Sequence, residues 1–243
     1  MGNEARWRRL YLIAAIALML MIAFVLVDMG ISMALPEGDI DPATLNAADW
    51  FGRFNSHPLY ALRDYGIFNI CNIILGIPVF LALVHSHRRI NAPFALLAAA
   101  LAVFGGGVYI ANNTALPMLG LSHTYAAAPE AQRAAIEAAG TALLARGADF
   151  TYGSLIGLLF PTLGGMLMAG VVLMGNVFRK YVGYVGLAAY LLLSVYTVMA
   201  VCWPGSFDTT MIIAAPGGLL LLVWNVALMC RFLKWSNTRR SEA

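Results

Sequence analysis

Residues 10–27, LYLIAAIALMLMIAFVLV, hold 18 consecutive apolar residues without a charge. An α-helix needs about 20 such residues to cross the hydrocarbon core of a bilayer. Arg6, Arg8 and Arg9 precede the run, and Ser32-Met33-Ala34 follows it. A basic start and a small-residue end also describe a secretory signal. Signal cores, however, run to only about 7–15 apolar residues, so the length predicts a retained membrane anchor.

Five further stretches have the same character. The six predicted spans cover residues 10–34, 65–84, 92–110, 150–174, 182–203 and 210–230. Helix is the expected state, because lipid offers no partner to an open strand edge and the polar–apolar alternation of a membrane barrel strand is missing. Composition agrees. Of 243 residues, 61% are hydrophobic and 11% are charged, against about 25% charged in soluble domains. A soluble chain of this size could not bury so much apolar surface. The expected fold is an all-α, six-span bundle forming a single membrane domain over residues 1–243.

Charge placement predicts orientation, since Lys and Arg stay on the cytoplasmic side. With the N-terminus inside, 11 of the 15 basic residues fall in cytoplasmic segments and nine of the 12 acids fall outside. Both termini are then cytoplasmic, and a bacterial inner membrane is the expected location. Trp7, Trp50, Trp203 and Trp235 sit at or beyond span ends, where indole rings anchor at headgroup level; Trp224 lies inside the last span. A net charge of +3 is too small to suggest nucleic acid. The expected partners are membrane lipids, with a protein partner or a second copy as the alternative. Cys71, Cys202 and Cys230 form neither a disulfide framework nor a zinc pattern.

Two outer segments, residues 35–64 and 111–149, are longer than the cytoplasmic loops. Asp41-Pro42-Ala43 reads as a cap and first turn, predicting a short helix over 43–54 with Trp50, Phe51 and Phe54 on its apolar side. Pro129-Glu130 opens a second stretch. There Ile136, Leu143 and Leu144 recur at helical spacing, Arg133 and Glu137 pair at i, i+4, and Gly147 ends the run. The apolar side of the first could lie on the bilayer or against neighbouring spans, and the second is expected to cover the bundle from outside.

Residues 109–145, YIANNTALPMLGLSHTYAAAPEAQRAAIEAAGTALLA, resemble a bacterial family of multi-pass membrane proteins known only as a domain of unknown function. The similarity rests on Asn112-Asn113, the Leu119-Gly120-Leu121-Ser122 step and the Ala131-Gln132-Arg133-Ala134 run. It implies a bundle of six or seven helices with an outer helical segment, and no activity.

Polar residues inside a span are costly and mark packing contacts or functional sites. Asn69 and Asn72 lie one turn apart on one face of the second span. Asn112 and Asn113 close the third, and Tyr109, Asp149, Tyr152 and Ser154 fall at the same level. If these helices are neighbours, Asn69, Asn72, Tyr109, Asn112, Asn113 and Tyr152 line an outward-facing polar pocket suited to a neutral small molecule or lipid. Interhelical hydrogen bonding is the alternative use of the same groups. Asp28, the one acid within a span, falls near the outer interface. The four histidines lack the ligand number for metal or haem; no cofactor is expected. No nucleophile–base pair stands out, so an enzyme is the weakest class. Pro78, Pro161 and Pro216 interrupt three spans, and Gly105-Gly106-Gly107 and Gly183/Gly186 predict close helix contacts.

Overall fold

The computed structural model describes residues 3–34, 44–148, 151–203 and 207–237. Ten helices carry the described chain: α1 (Asn3–Ala34), α2 (Ala47–Ser56), α3 (Pro58–Asp64), α4 (Ile67–His87), α5 (Ala92–Asn112), α6 (Ala115–Ala127), α7 (Glu130–Gly147), α8 (Leu155–Met174), α9 (Lys180–Cys202) and α10 (Phe207–Asn237). Among the described residues there are six candidate spans long and apolar enough to cross a membrane, built on α1, α4, α5, α8, α9 and α10, with α6 continuing the apolar run of α5.

The six spans close into a ring. Going round it, α1 packs on α4, α4 on α5, α5 on α8, α8 on α9, α9 on α10, and α10 returns to α1. Small residues set the closest seams. A Cβ on Gly164 of α8 would fall 2.7 Å from the Ala98 carbonyl oxygen and 2.8 Å from the Ala102 nitrogen of α5. On α9, Gly186 lies under the Trp224 ring of α10. Lipid does not drive helices together by exclusion, so such backbone approach supplies the dispersion contact that does.

One apolar core fills the ring toward one end. It joins Ala14 and Leu18 of α1, Val79 and Leu83 of α4, Ala98 of α5, Met168 and Val172 of α8, Val182 of α9, and Trp224, Leu228 and Phe232 of α10. At this end Tyr11 of α1 meets both His85 of α4 and Trp235 of α10. The start of α1 and the end of α10 therefore share one face of the molecule, together with Arg8, Arg88, Arg179 and Arg231. We call it the basic end.

The opposite end carries a cap of α2, α3, α6 and α7 with an apolar core of its own. Trp50, Phe51 and Phe54 of α2 pack with Tyr65, Ala115 and Met118, flanked by Ile136, Leu143 and Leu144 of α7. Two of these four helices, α3 and α6, extend beyond the sequence expectation. The first cap helix also starts later than the expected 43–54. Its cap is Asn46, whose side chain accepts from the Asp49 N–H at 3.0 Å while the Asp49 carboxylate accepts from the Asn46 N–H at 3.0 Å. That reciprocal capping box fixes the start at Ala47. The Asp41-Pro42-Ala43 step lies outside the described residues, as does Asp149.

Candidate functional site

The cap is joined to the bundle where α3 turns into α4 and α5 breaks into α6. The turn rests on Gly66, which holds φ 85°, a left-handed backbone open to glycine at no steric cost. The Gly66 carbonyl accepts from the Tyr109 hydroxyl at 3.3 Å. Asn113 donates its side-chain amide to the Tyr65 carbonyl at 3.0 Å and accepts from the Ala115 N–H at 3.0 Å. The Tyr65 and Thr114 hydroxyls are 2.9 Å apart, and Thr114 donates to the Leu143 carbonyl of α7 at 3.0 Å. Asn112 donates to the Gly153 carbonyl at 3.1 Å. Tyr65 and Tyr109 are each 1% exposed. Buried polar groups need such partners, and here the partners lie in the α3–α4 turn, at the α5–α6 break, on α7 and just before α8.

A chain of charges reinforces the joint from the side. The Arg63 guanidinium donates to Asp28 of α1 at 2.7 Å and to Asp64 at 2.8 Å, and Arg53 of α2 reaches the other Asp64 oxygen at 2.6 Å. The order Asp28–Arg63–Asp64–Arg53 alternates in sign, so each inner member has two opposite neighbours.

The predicted site residues thus divide. Tyr109, Asn112 and Asn113 come together at the joint, each bonded to a backbone carbonyl. Tyr152 stands apart, 73% exposed, and Ser154 turns back to the Thr151 carbonyl at 2.9 Å. The residues that sequence reasoning missed are Tyr65, Thr114 and Arg63. The polar run Asn112-Asn113-Thr114 was the available signal for Thr114. Nothing local marks the other two.

Asn69 and Asn72 occupy a different place. Asn72, Gly76, Val79 and Leu83 recur at i, i+4, i+7 and i+11, so they share one face of α4. Val79 and Leu83 are buried in the ring core, which shows that this face points inward. Toward the cap the same face is not filled. The Asn72 carboxamide oxygen is buried without a hydrogen-bond partner among the described residues. A Cβ on Gly76 would meet nothing within 4 Å. None of residues 19–31 of α1 and none of 67–78 of α4 is buried, while α5, α8 and α9 hold buried residues as far as Tyr109, Gly157 and Val201 at the same end. The halves of α1 and α4 nearer the cap stay together, with Phe24 stacked on Phe68 at 5.6 Å, but Asn72 and Gly76 on the inward face of α4 remain partly exposed.

A ring of six apolar spans, plugged at one end and roofed by a bonded helical cap at the other, defines a multi-pass membrane helix bundle. Comparison of the chain with protein-family models, with curated proteins and with solved structures finds no match.

Proposed function

We propose that this protein holds a neutral, membrane-borne amphiphile between the open inward faces of α1 and α4 and the facing spans, with the Asn72 carboxamide as its polar contact. The observation that carries the reading is the stripe on α4. Its Val79 and Leu83 members are core, while Gly76 has open space beside it and the buried Asn72 amide oxygen has no hydrogen-bond partner among the described residues. Apolar walls with a single fixed polar group suit a ligand that is mostly hydrocarbon. An uncharged ligand follows from the spans, where an unpaired charge would be costly. The core plugging the basic end favours holding over conduction. By the positive-inside rule, the basic end faces the cytoplasm of a bacterial inner membrane and the cap faces outward.

The test is native mass spectrometry of the protein extracted in a mild detergent. Wild type is expected to carry a lipid-class adduct, and both Asn72→Leu and Gly76→Phe are expected to lose it while remaining monodisperse. An adduct of equal occupancy in the wild type and in folded Gly76→Phe refutes the site.

A second reading, an accessory subunit that presents its cap to a partner, is favoured by the joint itself. Tyr109, Asn112 and Asn113 are tied to backbone carbonyls, which makes the cap a fixed platform, and it displays Leu59 at 79% and Leu116 at 63% exposure. Under that reading Leu59→Glu with Leu116→Glu dissolves a complex seen by light scattering, and Gly76→Phe leaves it intact.

A further inference from the structure

At the basic end, the exposed Val223 and Val226 of α10 face a gap beside the start of α9 and the loop that follows α8. The gap is a cleft of ≈ 800 Å³ lined by both helices and by Asn176–Arg179. Its composition is divided along its length. Val182, Leu222, Val223 and Val226 make an apolar floor that runs along the spans. Arg179, Arg231 and Lys234 stand around its mouth, and no carboxylate is among the described lining residues.

The mouth is built, not only charged. Arg231 donates to the Val177 carbonyl at 3.2 Å, and its guanidinium carbon lies 5.0 Å from the centre of the Trp235 ring. A planar guanidinium fixed on an aromatic face keeps its remaining donors pre-aimed, so little freedom is lost when an oxyanion binds. The loop holding Val177 turns through Asn176 at φ 52°, a left-handed residue that asparagine tolerates better than most.

We propose that this cleft is a binding site for an anionic membrane phospholipid, with the phosphate among Arg179, Arg231 and Lys234 and one acyl chain along Val182, Leu222, Val223 and Val226. Charge complementarity selects the headgroup. The continuous apolar floor selects a lipid over a free phosphate, because a soluble ion would leave the floor uncovered. Basic pockets between spans at headgroup level recognise anionic lipids on this principle. The site lies at the end of the molecule opposite the Asn72 face and does not depend on it.

The experiment incorporates the full chain into nanodiscs of equal phosphatidylglycerol and phosphatidylcholine and reads retained lipid by native mass spectrometry after release. Wild type is expected to enrich phosphatidylglycerol. Taking about fivefold for each cation that faces the bound headgroup, the triple variant Arg179→Gln, Arg231→Gln, Lys234→Gln is expected to lose on the order of a hundredfold in preference. Arg6→Gln with Arg89→Gln, basic residues of the chain outside the cleft, is expected to change it little. Val226→Trp keeps every charge and fills the floor; it is expected to lose the lipid as well, which keeps the test decisive if the triple variant misfolds. Excess inorganic phosphate is expected to displace nothing. Equal enrichment in wild type and Val226→Trp, equal loss in the Arg6/Arg89 control, or displacement by phosphate alone each overturns the proposal.

Discussion

Gly76→Ala and Gly164→Ala place the same methyl group on two inward-facing span positions, and they should move stability in opposite directions. At Gly76 the new Cβ meets nothing within 4 Å. Replacing glycine by alanine in a helix then gains at most about 1 kcal/mol from backbone entropy, and less where the unfolded reference in lipid is already helical. The expected change is a stabilisation of about 0.5 kcal/mol on this scale. At Gly164 the Cβ falls 2.7 Å from the Ala98 oxygen and 2.8 Å from the Ala102 nitrogen. Both are backbone atoms of a helix and cannot rotate away. Ordinary contact requires roughly 0.7 Å more separation, and the α5–α8 seam must open along its length to provide it. Overpacking of this kind costs about 1–3 kcal/mol, which exceeds the propensity gain. The assay is thermal unfolding in detergent, followed by tryptophan fluorescence or by loss of the monodisperse peak. A Gly76→Ala protein destabilised as much as Gly164→Ala would refute the reasoning, because the stripe on α4 would then be packed along its whole length.

The charge chain should respond unequally to neutralising its two acids. Asp28→Asn leaves Arg63 paired with Asp64, and Asp28 is 43% exposed, so the expected loss is within about 1 kcal/mol. Asp64→Asn removes the acid shared by Arg63 and Arg53; its side chain is 12% exposed, and the loss should be about 2–3 kcal/mol, below the full cost of breaking a buried pair. Equal losses in chemical unfolding would show that the four groups do not act as a chain. Tyr65→Phe removes one hydroxyl at the joint while Thr114 keeps the Leu143 carbonyl, so a loss of about 1 kcal/mol is expected. Hydrogen exchange should rise in α6 and α7 and stay unchanged in α9; uniform loosening would contradict a local joint.

The six spans were legible because a bilayer imposes a length on apolar runs, and that constraint acts on each run alone. The cap was only partly legible. The α7 stretch announced itself through Pro129 and the spacing of Ile136, Leu143 and Leu144. By contrast α6, ALPMLGLSHTYAA, is apolar enough to read as a continuation of α5, and the seven residues of α3 are too few for periodicity to register. The joint was the least legible feature. Tyr65 and Thr114 are 49 positions apart and Arg63 and Asp28 are 35 apart, so neither pairing leaves a local pattern. Asn69 and Asn72 were visible as polar intruders on one face, but the stripe that gives them meaning needs Gly76, whose importance lies in what is missing beside it.

The two ends of the ring place different demands on the same helix. Toward the basic end α4 contributes Val79, Ala82 and Leu83 to a core shared by all six spans. Toward the cap it contributes Ile73, whose side chain presses on Gly106 of α5, while Gly76 on the inward stripe has open space beside it. A helix anchored by packing at one end and by the Gly66 turn and the α3 ion pairs at the other cannot simply tilt inward to close the space. Closing it would require breaking either the shared core or the cap joint, both of which act over several helices at once. The open space beside Gly76 is therefore kept by the same contacts that tie the bundle to its cap, and under the proposed function it is filled by a molecule from the membrane.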